Sequence, residues 1–272
     1  MNVLLICLAF IFGTIIGSFL NVVIWRIPSG QKLTGRSRCP ACRKILGVLD
    51  LVPILSFIFL RGSCRRCGQK ISPRYPLIEA LTGSLFAWSA YYISPTGLLT
   101  FAVLARTDFI LAILIVIFAI DFEHYLIFDS VLIFGGTGAI LLNLMLDILS
   151  PARHGFWASG SVLAILSAGV CTLPFYLLWW ASRGKWLGFG DVKLALFLGL
   201  ALGWPLSFVG IFLGILLGGI SGLLLLAWGN KTLKSKLPFG TFLSLAAAVT
   251  LFYGSVLLNW YLGFVGIGRL GF

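Results

Sequence analysis

The chain has 272 residues, of which 60% are hydrophobic and only 10% charged, and it carries a formal net charge of +12. Soluble domains average about 25% charged residues, so the composition excludes an ordinary water-soluble domain. The chain is better counted in membrane spans of ~20 mainly apolar residues each.

In chain order, eight apolar segments are expected to form helices: 3–24, 77–94, 101–120, 130–149, 158–180, 192–206, 207–228 and 239–262. The expected fold class is an all-α polytopic membrane protein of about eight transmembrane helices with a small cytoplasmic zinc-binding module. The first segment has no basic residue before it, a long apolar run and no small-residue cleavage site after it, so it reads as a span and not a signal peptide. Only Gly203, Trp204 and Pro205 separate the sixth and seventh.

The basic residues are clustered. Eleven of the 20 Lys and Arg lie between Arg26 and Arg74. Arg183 and Lys185 lie between the fifth and sixth segments with Lys193 at the start of the sixth, and Lys231, Lys234 and Lys236 lie between the seventh and eighth. With eight spans, these regions fall on one side. The positive-inside rule makes that side cytoplasmic and puts both termini outside. Topology and anionic membrane lipid account for the charge, and no nucleic-acid partner is expected.

Of six cysteines, Cys7 and Cys171 lie in apolar segments, where buried apolar roles are the simplest reading. The other four form Cys39-Pro-Ala-Cys42 and, 21 residues on, Cys64-Arg-Arg-Cys67. Two such knuckles can aim four thiolates at one tetrahedral zinc, a closed site that holds a fold together and leaves no position for chemistry. Disulfides and free thiols are the competing readings. A cytoplasmic placement keeps thiols reduced, and the flanking Arg38, Arg43, Arg65 and Arg66 favour thiolates. The apolar run from Leu49 to Leu60 is too short to span and fits a re-entrant or interfacial element.

Eight acids remain to be placed, and ionisable groups near hydrocarbon are functional candidates by default. Asp50 falls in the basic loop, Glu79 and Asp147 at segment ends, and Asp108 outside, where it is expected to pair with Arg106. Asp121, Glu123, Asp129 and Asp191 all map to the basic face. Asp121 follows the apolar run from Phe109 to Ile120, and Asp191 follows Leu187-Gly188-Phe189-Gly190, whose glycines allow a close backbone approach. Two carboxylates brought together titrate as a pair. One can then deprotonate a water while the other polarises a carbonyl. The competing reading is that these acids only neutralise Arg183, Lys185 and Lys193. No Ser-His-Asp arrangement is evident, and the two histidines fall on opposite faces.

The sequence resembles the bacterial type IV prepilin peptidases, the leader peptidase/N-methyltransferase family. The resemblance rests on residues 17–24 (GSFLNVVI), 37–42 (SRCPAC), 60–67 (LRGSCRRC) and 71–79 (ISPRYPLIE). It also rests on Ile120-Asp121 with Asp129 eight residues later, residues 188–194 (GFGDVKL), and Leu237-Pro238-Phe239-Gly240. It implies that Asp121 and Asp191 are the catalytic pair with Asp129 a supporting acid, and that Cys39, Cys42, Cys64 and Cys67 bind zinc. It also implies an inner-membrane enzyme that removes the basic leader of type IV prepilins or pseudopilins. Methylation of the new N-terminus from S-adenosylmethionine would follow. The implied organisation is a first helix (1–25), a cysteine module (26–76) and a seven-helix peptidase domain (77–272). Two residues depart from the family pattern: Phe128 stands where a proline usually precedes the second acid, and Gly47 and Val48 stand where an aromatic is common. Acidic Asp121, Glu123, Asp129 and Asp191 are expected to attract the basic leader. Readings of a different class are a proton-coupled transporter and an inactive scaffold. A transporter would place acids near the midplane in related halves, and no repeat is evident.

Overall fold

The computed structural model describes residues 3–150, 159–227 and 237–266; Arg153, Lys231, Lys234, Lys236 and Arg269 lie outside them. The described residues form helices α1 (Val3–Arg26), α2 (Leu55–Phe59), α3 (Arg74–Ile93), α4 (Leu98–His124), α5 (Asp129–Leu149), α6 (Gly160–Ser182), α7 (Phe189–Leu202), α8 (Leu206–Ala227) and α9 (Phe239–Val265), with a 3-10 turn at Val48–Asp50. Among these residues the only β structure is two isolated bridges.

All eight apolar segments become helices, and six of them (α1, α4, α5, α6, α8 and α9) are long and apolar enough to cross a membrane. The other two fall short for different reasons. Helix α3 has 20 residues, but Arg74, Glu79 and several Ser, Thr and Tyr side chains dilute its hydropathy. Helix α7 has 14 residues, about 21 Å at 1.5 Å per residue, against a hydrocarbon core of ~30 Å. Every residue from Phe197 to Leu202 is buried, and a helix surrounded by protein need not match the thickness of the lipid.

The chain divides into two compact units, residues 1–96 and 97–272. In the first, α1 and α3 run antiparallel in a four-residue register. A Cβ on Gly13 would lie 2.8 Å from Gly83 Cα, and one on Gly17 would lie 2.8 Å from Glu79 Cα. No larger residue fits this backbone-to-backbone contact, the small-residue packing common between membrane helices. One turn further, Asn21 Nδ2 donates to the Tyr75 carbonyl at 3.0 Å. Between α1 and α3 the two cysteine knuckles each carry one of the bridges, Arg38 with Ile45 and Ser63 with Lys70. The apolar run between them forms the 3-10 turn and α2, with Val48, Leu49, Ile58 and Phe59 exposed.

In the second unit α4 is the most enclosed long helix, buried continuously from Ile110 to Ile117. It packs against α5 and α9, while α7 contacts α5, α6, α8 and α9. A Cβ on Gly199 would collide with Ala168 Cα, which sets α7 tightly against α6. Helices α7 and α8 are separated at Gly203, Trp204 and Pro205, where Gly203 has φ +70°. Cys171 is buried, with its thiol 3.4 Å from Ser207 Oγ. Cys7 departs from expectation: it is exposed, on a helix whose buried residues are confined to the stripe from Gly13 to Ile24.

Candidate active site and metal centre

The second unit brings four helix ends to one place. Asp121 lies in the last turn of α4 and Asp129 opens α5. Asp191 is the third residue of α7, and Thr241 is the third residue of α9. Asp121 is 4% exposed. Its Oδ2 accepts the Thr241 backbone N–H at 2.6 Å and the Thr241 hydroxyl at 3.0 Å. The first turn of a helix has N–H groups without intrahelical partners, so the start of α9 is a ready anion site for this carboxylate.

Glycine makes that approach feasible. A Cβ on Gly240 would lie 3.0 Å from Asp121 Oδ2 and 3.0 Å from Ile127 Cδ1. Ile127 also reaches the start of α7, where a Cβ on Gly190 would lie 3.2 Å from Ile127 Cβ. The turn between α4 and α5 thus packs against Gly240, beside Asp121, and against Gly190, beside Asp191. Ile127 thus bridges the start of α9, which holds Asp121, and the start of α7, which carries Asp191. Gly188 and Gly190 precede Asp191 as the sequence suggested. Gly188 is extended at φ −72° and caps α7, so Gly190 serves by its missing side chain and not by an unusual backbone angle.

Asp129 is set apart from this pair. Its carboxylate is held by Lys193 Nζ at 2.7 Å to both oxygens, and its side chain is 58% exposed. Lys193 also lies 5.0 Å above the Phe189 ring. The salt bridge therefore ties the start of α5 to the first turns of α7. Phe128 caps α5 with an extended backbone, φ −90° and ψ 129°, close to the shape a proline would impose. Glu123 is exposed and lies 3.9 Å from His124.

The far end of α7 is also clamped. Arg106 of α4 donates to the Ala201 carbonyl and to Asn143 Oδ1, each at 2.6 Å, and Asn143 Nδ2 donates to the Leu200 carbonyl at 3.1 Å. These carbonyls belong to the last turn of α7, which has no intrahelical donors left for them. Arg106 was expected only to pair with Asp108 outside, and Thr241 does not stand out in the sequence. The one available signal for Thr241 was its place after Leu237-Pro238-Phe239-Gly240.

In the first unit the Cys39, Cys42, Cys64 and Cys67 sulfurs all lie within 4.8 Å of one another, and none is in a disulfide. The two knuckles are built alike. Cys39 N–H donates to Lys44 O and Arg43 N–H to Cys39 O; Cys64 N–H donates to Gln69 O and Gly68 N–H to Cys64 O. The residue after each second cysteine is left-handed, Arg43 at φ +57° and Gly68 at φ +68°. Backbone N–H groups of Arg66 and Cys67 pull the Cys64 thiol down to about 7, while burial and the neighbouring sulfurs outweigh the Gln69 N–H and push the Cys67 thiol up to about 11. Four convergent sulfur donors could hold a metal ion.

Residues 11–93 match the Bacterial Peptidase A24 N-terminal domain, and residues 108–223 match the Type IV leader peptidase family. A prepilin leader peptidase/N-methyltransferase of Aeromonas hydrophila is 32% identical over 94% of this chain and 93% of its own length. One of Legionella pneumophila is 28% identical over 93% of each. One of Klebsiella pneumoniae is 35% identical over 72% of this chain and 84% of its own. No solved structure matches the chain significantly. The relatives' coverage, the two domain matches and the all-helical, cysteine-bearing architecture place this chain in the prepilin leader peptidase/N-methyltransferase family.

Proposed function

We propose that this chain is an aspartic endopeptidase of the bacterial inner membrane. It cleaves the basic leader from type IV prepilins or pseudopilins at the cytoplasmic face, with Asp121 and Asp191 as its catalytic pair. The observation that carries the reading is the convergence of Asp121, Asp191 and the start of α9 around Gly240 and Ile127. Because Oδ2 of Asp121 accepts two hydrogen bonds, that oxygen is committed. Its partner oxygen is the one available to take a proton from water. Asp191, partly exposed at the start of α7, then carries the proton that polarises the scissile carbonyl and later passes to the leaving amine. The water oxygen bonds to the carbonyl carbon, and the peptide C–N bond breaks as the nitrogen is protonated. Asp129, bound by Lys193, is a positioning residue that fixes α5 against α7.

The four cysteines would hold zinc with no open coordination position, so the metal's part is to fold the cytoplasmic loop. The relatives' names support a second activity, N-methylation of the exposed N-terminus. S-adenosylmethionine, when bound, supplies an electrophilic methyl group. That methyl group would go to the nitrogen of the new N-terminus. The clustering of basic residues between Arg26 and Arg74 supports a cytoplasmic location for that loop.

The test is cleavage of a prepilin in membranes carrying wild type, Asp121→Ala or Asp191→Ala. Loss of cleavage in both variants, at wild-type protein levels, is expected. Full activity in either removes the pair from the mechanism.

A further inference from the structure

Helix α2 and the 3-10 turn before it present apolar side chains on their outer side. Val48, Leu49, Leu55, Ile58 and Phe59 are exposed, Val48 by 84% and Phe59 by 81%. Ser56 and Phe57 line the interior of the unit, so α2 turns a serine inward and three large apolar side chains outward. Water favours the opposite arrangement. We propose that residues 48–59 form an interfacial anchor, inserted at the boundary between head groups and acyl chains of an anionic lipid leaflet.

The depth of this element follows from its one tie to the helices. Arg26 ends α1, which is long and apolar enough to span. Trp25 beside it is half-exposed, and the Arg74 guanidinium lies 6.0 Å from its ring. Trp, Tyr and basic side chains at a helix end mark the membrane–water interface. Asn21, which bonds the Tyr75 carbonyl, lies five residues before Arg26, about 7.5 Å inside that end at 1.5 Å per residue. Glu79 is one turn further along α3, packed against Gly17, and its Oε2 accepts the Ile54 N–H at 2.8 Å. A helical side chain leans back toward the start of its helix. The bond therefore holds Ile54, and with it the start of α2, close to the level of the Asn21–Tyr75 pair. Interfacial amphipathic elements bury their apolar face by ~5–10 Å, which is the same depth.

Charge decides what covers this face. Arg43 and Lys44 precede the apolar run and Arg61, Arg65 and Arg66 follow it, all of them exposed. The acid within the run, Asp50, is bonded to Arg65 at 2.9 Å. Anionic head groups complement such a rim. A second copy docked face to face would bring an identical basic rim against it, and a prepilin would bring a basic leader. The anchor needs only that α1 spans a membrane and is independent of the peptidase reading.

The test uses full-length enzyme in nanodiscs of equimolar phosphatidylglycerol and phosphatidylcholine. Photoreactive p-benzoylphenylalanine is incorporated at Phe59 and, in a control protein, at Leu8, which is exposed on α1. After illumination, adducts are read by intact mass with and without an added prepilin. A single-lipid adduct at Phe59 is expected, with phosphatidylglycerol captured at least twofold over phosphatidylcholine. A crosslinked dimer or a prepilin adduct in place of lipid overturns the anchor. So does an unlabelled protein when the Leu8 position captures lipid. Equal capture of the two lipids overturns the anionic preference.

Discussion

Replacing Thr241 by valine removes one of the two donors to Asp121 while keeping the shape of the side chain. The hydroxyl lies 3.0 Å from Asp121 Oδ2, and the backbone N–H, at 2.6 Å, survives the substitution. A hydrogen bond to a charged group contributes ~1.5–3 kcal/mol. The remaining N–H keeps the carboxylate anchored, so the lower part of that range applies, about 1.5–2 kcal/mol. At 1.36 kcal/mol per factor of ten, kcat should fall by about 10- to 30-fold. KM should change little, because the bond holds the catalytic group and not the substrate. The assay is cleavage of a purified prepilin by enzyme in nanodiscs, with Thr241→Ser as the conservative control that restores the donor. A change of less than twofold for Thr241→Val, or an equal loss for Thr241→Ser, would refute the reasoning.

Three other predictions rest on neighbouring features. Gly240→Ala puts a methyl group 3.0 Å from Asp121 Oδ2 and from Ile127 Cδ1. The few tenths of an ångström by which these must move should lower the cleavage rate about tenfold, with no loss of folded protein by size-exclusion chromatography. Arg106→Met leaves the Ala201 carbonyl and Asn143 Oδ1 without their donor; it should destabilise the second unit by about 3 kcal/mol, measured as a lowered Tm in detergent. Cys64→Ser should reduce zinc from about one ion per chain to near none by elemental analysis. Wild type purified under reducing conditions with no zinc would contradict a structural metal.

Much of the fold was legible because apolar runs bounded by polar loops specify membrane helices directly. Runs 3–24 and 239–262 became α1 and α9 with little change at their first residues. The cysteine centre was legible too, since paired knuckles restrict four sulfurs to one neighbourhood. The short span of α7 was not legible. A Leu- and Ala-rich sequence reads alike against lipid or protein, and only packing around Phe197–Leu202 distinguishes them. Thr241 was hidden for a related reason. Its partner Asp121 is 120 residues away, and no local pattern records which helix end meets which carboxylate. Asp129 was legible as an acid eight residues after Asp121, but its engagement with Lys193 depends on how α5 and α7 pack.

The central claim is that Asp121 and Asp191 act as one unit. The most direct measurement is the prepilin cleavage rate of Asp121→Asn, Asp191→Asn and the double variant. Groups that act as a unit are strongly non-additive. Each single variant is therefore predicted to lose about 10³-fold or more, and the double variant to be no slower than the worse single. Substantial activity in either single variant, or a double variant whose loss is the product of the two, would contradict the account.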